Sequence, residues 1–294
     1  MNPTGLDTFN SYRPLLFSIA YRMLASAADA EDILQEAYLR WEHASEDEVR
    51  SPKSYLSTIV TRLSIDHLRK EKARREVYVG PWLPEPLMTS YNPDLTRTVE
   101  LAESLSMAFL LLLETLGPVE RAVFLLREVF DYDYSEIAHI VGKSESNCRQ
   151  VVRRAQHHLR ERRPRFPVSR EHQEQMIRSF ILATTQGDMQ GLVNLLTDDI
   201  TFISDGGGKA QAALNPIYGA DRVVRFIFGI VAKLRATPNV SVSVSELNGQ
   251  LGIITYVDDQ PTATLTFTYE GDRISGIHSV VNPDKLHSIT AKSN

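Results

Sequence analysis

The chain has 294 residues, enough for two or three domains, with 37 acidic against 32 basic side chains and a net charge of −5. Its 43% hydrophobic and 23% charged content is ordinary for a soluble, well-packed protein, and no apolar run approaches the about 18 residues of a membrane span. The N-terminus lacks the layout of a secretion signal, and the single cysteine, Cys148, excludes an internal disulfide and a cysteine-built zinc cluster. A reducing cytoplasm is the expected compartment, with no membrane partner, metal or cofactor.

Apolar residues recur at three- and four-residue spacing from Thr8 to Ala25, Asp29 to Trp41 and Lys53 to Lys72, which predicts three helices. Ser51 and Pro52 fit the start of the third as cap and first-turn proline. Residues 76–98 contain four prolines and no helical period, so they read as a linker. A second helical block runs from Val99 to about Arg163, broken at Leu116-Gly117-Pro118, and PRFPVSR (164–170) is a shorter linker. Beyond it the pattern changes. Helices are expected over Ser169–Thr185 and Met189–Leu196, then a strand at DDITFIS, then an amphipathic helix over 219–234. VSVSVSEL, GQLGIITYV, TATLTFTYEG and RISGIHSVV alternate like antiparallel strands, separated by Asn-Gly, Asp-Asp-Gln-Pro and Glu-Gly-Asp turns. The expected divisions are therefore 1–75, 76–98, 99–163, 164–169 and 170–294. Two are all-helical, and the last is an α+β domain with a curved sheet wrapped around a helix.

Charge is unevenly spread. Between Arg62 and Arg75 six basic residues face two acids, and between Lys143 and Arg165 eight face two. Acids gather at Asp29–Glu36, Glu42–Glu48 and Asp131–Glu136. Two basic stretches in an acidic chain suggest two phosphate-contacting surfaces, or simply solvated helix faces.

DYDYSEIAHIVGKSESNCRQVVRRAQHHLR (131–160) has helix-turn-helix spacing. Tyr134, Ile137, Ala138 and Val141 make the expected inner face of a short helix. Gly142 supplies the turn, and Ser144 or Ser146 caps the next helix. Cys148, Val151, Val152, Ala155 and Leu159 form a buried stripe, which makes Cys148 a core filler. Asn147, Arg149, Gln150, Arg153 and Arg154 are left outward, where Asn and Gln suit adenine edges and Arg suits guanine or phosphate. Adjacent His157 and His158 diverge on a helix and make a poor chelate.

DAEDILQEAYLRW (29–41) followed by SPKSYLSTIVTRLSIDHLRKEKARR (51–75) resembles region 2 of bacterial extracytoplasmic-function sigma factors, and residues 99–163 resemble their region 4. The resemblance implies that Asp29, Glu31, Asp32, Gln35 and Glu36 dock on the clamp helices of core RNA polymerase. It implies that the segment with Lys53, Tyr55, Arg62, Arg69, Lys70, Arg74 and Arg75 recognises and helps open the minus-10 element. The helix starting near Ser144 would read the minus-35 element through Ser144, Ser146, Asn147, Arg149, Gln150, Arg153 and Arg154. Tyr55 suits either base stacking or the core, Asp66 an intrahelical ion pair, and Trp41 the closing of its helix.

A minimal member of this class ends soon after region 4, whereas this chain continues for about 125 residues. The tail resembles SnoaL-like domains, α+β cones related to polyketide cyclases and ketosteroid isomerases. WLPEP (Trp82, Leu83, Pro84, Glu85, Pro86), DGGGK (Asp205, Gly206, Gly207, Gly208, Lys209) and NPDKL (Asn282, Pro283, Asp284, Lys285, Leu286) resemble the signatures of sigma factors carrying such a tail. The resemblance implies a fused regulator whose contact with the sigma domains or linker is intramolecular, at high effective concentration.

Other roles for the tail remain open. Asp205, Tyr218, Asp221, Tyr256 and His278 are candidates for acid–base chemistry, and an unknown small ligand is a possible partner. A ligand-converting or ligand-sensing domain attached to a DNA-binding regulator, or a regulator that works without polymerase, are the rival functions. DGGGKA is no P-loop, since Ala210 stands where the metal-binding hydroxyl belongs and Pro216 interrupts the following segment. It is expected to be a flexible loop in close approach to a partner, through Asp205 and Lys209. Asn282, Pro283 and Asp284 suit a helix start. Trp82 and Leu83 are exposed apolar anchors expected to find a packing surface.

Overall fold

The computed structural model describes residues 3–44, 49, 51–75, 77–89, 93–96, 99–160 and 168–291. The chain divides into two compact units. One comprises Met1–Glu76, Pro93–Leu105 and Phe109–Arg163, the other Val77–Asn92, Ser106–Ala108 and Pro164–Asn294. The short linker expected at 164–169 lies almost wholly outside the described residues.

In the first unit, α1 (Pro3–Leu24) turns sharply into α2 (Ala27–Glu42). Ala25 adopts φ 56°, and the Ser26 side chain accepts from Asp29 N. The turn is tight because a cap replaces the hydrogen bonds that the helix start cannot make internally. The second half of α1 is buried nearly all round, through Leu16, Ile19, Ala20, Tyr21, Met23 and Leu24, so it is the axis on which α2 and α3 (Pro52–Arg75) pack. Among them lies Arg22, fully buried, with burial lowering its guanidinium to about 9. It donates to Ser104 Oγ at 2.8 Å and to the carbonyls of Leu95 and Leu101 at 3.2 and 2.8 Å, fastening segment 95–104 to α1. Backbone acceptors thus compensate a charge that burial alone would make costly.

The region-4-like part holds α4 (Val99–Glu103), α5 (Met107–Leu113), α6 (Pro118–Glu128), α7 (Tyr134–Val141) and α8 (Glu145–Arg160). The expected break at Gly117-Pro118 is the start of α6, where Glu120 reaches back to Gly117 N at 3.2 Å. α7 buries Ile137 and Ile140, while Tyr134, Ala138 and Val141 are only half-buried, so its inner face is rotated from the expected one. The reason is that three helices, α3, α6 and α8, pack against α7, so the buried side is set by all of them and not by the helix-turn-helix partner alone. Gly142 (φ 65°) ends α7, Ser144 caps α8 by accepting from Asn147 N, and all five stripe residues from Cys148 to Leu159 are buried.

The second unit places α9 (Arg170–Gln186), α10 (Met189–Leu195) and α11 (Ala220–Ala236) on one face of a mixed sheet. Its strands are β1 (Leu196–Asp205), β2 (Ile217–Tyr218), β3 (Val240–Leu247), β4 (Gln250–Val257), β5 (Gln260–Glu270) and β6 (Arg273–Val280), in the order β2-β1-β6-β5-β4-β3. Only β1 and β6 are parallel; the other pairs are antiparallel. Register shifts near Leu196/Thr201, Thr255/Tyr256 and Thr268/Tyr269 mark the bulges that bend the sheet about its helices. This is the α+β cone expected from the sequence. Met176, Phe180, Leu192, Phe202, Val224 and Phe267 belong to its core. The hairpins turn where expected, with Asn248 and Gly249 at φ 53° and 72°, and Asp258 and Asp259 at 50° and 60°. β2 is only two residues long and carries no periodic signal. No helix among the described residues is long and apolar enough to cross a membrane.

His278 of β6 lies opposite Thr266 of β5 and is 8% exposed. Burial pushes its imidazole down from 6.5 to about 4. The unfolded chain takes up this proton around the ordinary value, whereas the folded chain refuses it until near the depressed one. Stability should therefore fall on the order of 2 kcal/mol between about pH 7 and about pH 5. Chemical denaturation at the two pH values measures the loss, and His278→Gln should flatten the dependence.

Candidate nucleic-acid interface and linker arm

The candidate recognition surface rests on α8. With its apolar stripe turned inward, Ser144, Ser146, Asn147, Arg149, Gln150, Arg153 and Arg154 are all exposed. Ser144 is also engaged locally, as the cap and in a 3.1 Å contact with Ser146. Arg149 is held by Glu145 at 3.0 Å and lies 4.8 Å over the Tyr134 ring, and Arg154 is 3.8 Å from Glu120. These are weak surface pairs, so the guanidinium groups are oriented but available. His158 contacts Thr115.

On α3 the candidate residues do not form one open surface. Lys53 lies 4.9 Å over the ring of Tyr132, and Arg62 donates from Nε to Ile140 O at 2.8 Å and from Nη2 to His139 O at 3.0 Å. Arg69 and Lys70 are exposed, Arg69 pairing with Asp66 at 3.0 Å as the spacing suggested. Tyr55 is half-buried, its ring 6.0 Å from that of Trp41, whose indole N–H donates to Gly5 O at 2.8 Å. The side chains of Arg74 and Arg75 lie outside the described residues.

On α2, Asp32, Gln35 and Glu36 are exposed, while Asp29 and Glu31 are half-buried. Asp29 lies 3.6 Å from His67, Glu31 pairs with Arg13 at 2.5 Å, and Glu36 pairs with Arg40 at 3.0 Å. The stripe Asp32, Gln35, Glu36 continues one turn on to Leu39, which is 52% exposed. Sequence reasoning passed over Leu39, because one leucine among charged neighbours has no pattern of its own.

In the second unit, residues 77–89 lie as an arm against the C-terminal α+β cone. At one end the fully buried Asp205 carboxylate accepts from Tyr78 Oη at 2.6 Å, Leu83 N at 2.8 Å and Lys285 Nζ at 2.7 Å. Lys285 also donates to Leu83 O at 2.5 Å and lies over the rings of Tyr78 and Trp82, 5.1 and 4.2 Å from their centroids. Asn282 caps the Pro283–Lys285 turn and donates to Tyr78 Oη at 2.9 Å. Burial and the neighbouring carboxylate together push the Tyr78 phenol well above its ordinary value. At the other end Leu87 and Asn248 exchange hydrogen bonds, Thr89 N donates to Glu246 O, and Met88 bridges to Leu247 at the free edge of β3. In between, Ser288 donates to Pro86 O.

Leu83 is therefore no exposed anchor. It is fully buried, with Pro84, Glu85 and Pro86 beside it, and Trp82 finds its packing partner in Lys285. Leu286 is buried as well. Glycine is required in the loop. A Cβ on Gly206 would meet Ala210 O at 2.5 Å, and one on Gly207 (φ 57°) would meet Asn282 Nδ2 at 2.3 Å and Tyr78 Oη at 2.9 Å. One on Gly208 (φ 72°) would lie 3.2 Å from Val79 Cβ. Lys209 reaches Asp284 rather than the arm, because β1 and β6 run parallel and end side by side at Asp205 and Val280. Both signature loops follow those strand ends.

The five acid–base candidates do not converge. Asp205 is consumed by the arm, Tyr218 and Asp221 are exposed, Tyr256 is buried and His278 lies under the sheet, with no hydrogen bond joining any two of them. The face covered by α9 and α11 is packed with hydrocarbon.

An exposed helix-turn-helix, a basic helix beside it and an acidic helix on the same unit define a transcription initiation factor. Models of sigma-70 region 2 and sigma-70 region 4 match residues 8–74 and 106–159. The chain belongs to the extracytoplasmic-function (ECF) RNA polymerase sigma factors. It is 34% identical over 292 residues to the ECF RNA polymerase sigma factor SigJ of Mycobacterium tuberculosis, covering 96% of this chain and 93% of that one. It is 29% identical to the probable ECF sigma factor SigI of the same species, covering 97% and 95%. The crystal structure of SigJ matches with a TM-score of 0.78 at 32% identity, covering 98% of this chain and all of that one. The protein directs promoter-specific transcription initiation, is not an enzyme, and as a sigma factor binds core RNA polymerase and promoter DNA.

Lys285→Met leaves the Asp205 charge buried without its cation and should destabilise the C-terminal unit by about 3 kcal/mol. Adding Asp205→Asn should restore at least ~1 kcal/mol of that loss. Denaturant titration of the single and double variants measures the coupling, and strictly additive effects would refute it.

Proposed function

We propose that the three sites divide the work of initiation as follows. The α2 stripe Asp32, Gln35, Glu36 and Leu39 docks on the clamp helices of core RNA polymerase in the cytoplasm, with Asp29 and Glu31 bracing it through His67 and Arg13. α3 captures the minus-10 element through Lys53, Arg62, Arg69 and Lys70. α8 reads the minus-35 element, Asn147 and Gln150 facing base edges near the helix start and Arg153 and Arg154 facing phosphates further along. The observation that carries this reading is the fully exposed outer face of α8 above a buried apolar stripe.

The cone and its arm form the regulatory part, taking the functional divisions as 1–75, 99–163 and 170–294. The linker between regions 2 and 4 has to span the distance between two promoter elements, and an arm clamped along its length limits that reach. What the clamp controls is therefore how far the two DNA-binding regions separate.

Run-off transcription with purified core polymerase tests the assignment, since a repressor that works without polymerase would support no transcript. Leu39→Asp should weaken core binding about tenfold in a fluorescence titration, because a new charge would be desolvated in the docking face. Lys209→Glu breaks an exposed pair with Asp284 and should leave thermal unfolding unchanged while altering transcript yield. Unaltered yield would remove the loop from regulation.

A further inference from the structure

Arg62 and Arg121 share an unusual placement. Each carries its guanidinium across from one sigma region to the C-terminal end of a helix in the other. Arg121, buried on α6, donates to Met23 O at 2.6 Å, one residue before the end of α1, and is oriented by Glu114 at 2.8 Å. Arg62, on α3, takes the end of α7. There the chain satisfies the Ala138 carbonyl itself, through Gly142 N and Lys143 N. The carbonyls of His139 and Ile140 are the next acceptors at this helix end, and Arg62 occupies both with a two-pronged grip. Helix ends present such acceptors with the negative pole of the dipole, so a cation is their natural cap. Beside this grip Tyr132, 2% exposed, donates or accepts a 2.7 Å bond with Ser57 Oγ and lies under Lys53.

From this arrangement we infer a latch: Lys53, Ser57 and Arg62 hold the minus-10 helix closed on the start of the helix-turn-helix, and Arg62 exchanges the α7 carbonyls for promoter phosphate when the protein opens. The inference rests on the assignment of α3 to the minus-10 element. Nε and one N–H of Nη2 are committed to the carbonyls, so a phosphate that takes the same Nε–Nη2 edge in a two-pronged bond has to displace them. The latch leaves the outer face of α8 exposed, so it withholds the minus-10 contacts without masking the minus-35 reader. It is also reversible. Its acceptors are neutral carbonyls and one prong is exposed, whereas a phosphate oxygen carries full charge and makes the stronger partner.

Spin labels on the full chain at Glu42→Cys and Lys143→Cys, both exposed and with native Cys148 buried, report the separation of the two regions. Pulsed electron resonance should show a longer-distance population rising about three- to tenfold in Arg62→Ala and in Tyr132→Phe, which keeps the ring and loses the bond to Ser57. In run-off transcription the two variants should part. Tyr132→Phe raises open-complex yield, while Arg62→Ala opens the protein and still loses yield. Distances unchanged from the parent in both variants would overturn the latch. Opened distances with Arg62→Ala transcribing as well as Tyr132→Phe would uphold the latch and overturn the assignment of Arg62 to promoter DNA.

Discussion

A carboxylate with no access to water organises the C-terminal unit. Asp205 ends β1 at 0% exposure, and a charge in that position is tolerable only when donors surround it. The donors come from two distant stretches, Tyr78 and the Leu83 amide from the arm and Lys285 from the turn after β6. Each is held in turn by a second contact. Asn282 donates to Tyr78, Lys285 donates to Leu83 O, and the glycines of 206–208 leave room for the approach. The three short signatures WLPEP, DGGGK and NPDKL are thus one assembly seen at three places in the chain. Its consequence is that a proline-rich segment without secondary structure is nevertheless part of a packed unit.

The same chemistry recurs in the N-terminal unit with other acceptors. Arg22, Arg62 and Arg121 all donate to backbone carbonyls contributed by distant segments. Burial separates their roles. Arg22 is fully buried and Arg121 nearly so, so water does not compete for their bonds: Arg22 fastens segment 95–104 to α1, and Arg121 ties α6 to the end of α1. Arg62 is exposed, and water competes for its bonds. An arginine in that setting holds two elements together only weakly, which suits the exchange proposed for it.

Much of the architecture was legible because local chemistry and burial agree. The stripe from Cys148 to Leu159, the left-handed Gly142 and the Asn248-Gly249 hairpin each follow from side-chain spacing or backbone permissiveness within a few residues. The arm was not legible in that way. Its prolines abolish any period, and its partners lie more than 120 residues away in sequence at Asp205 and further still at Lys285. Leu83 shows the limit of reading such a segment by itself, since the surface that buries it comes from residues far along the chain. Arg62 exposes a second limit. An arginine on the outer face of a basic helix has the same sequence signature whether it meets phosphate or the end of another helix.

The two devices differ in what releasing them exposes, and this decides which is clamp and which is switch. Undoing the Asp205 assembly leaves a buried carboxylate facing no cation and uncovers Leu83, so the cost is large and the contact persists through ordinary fluctuations. Undoing the Arg62 grip returns a solvated guanidinium and two carbonyls to water, which hydrates all three at little net cost. Persistent attachment of the linker to the cone therefore coexists with a labile grip of α3 on the end of α7, while the buried Arg121 bond to Met23 O is the firmer tie between α6 and α1. If the two DNA-binding regions open as proposed, the Arg62 grip is the inexpensive part of that step, and the length of linker left outside the clamp sets how far they can go.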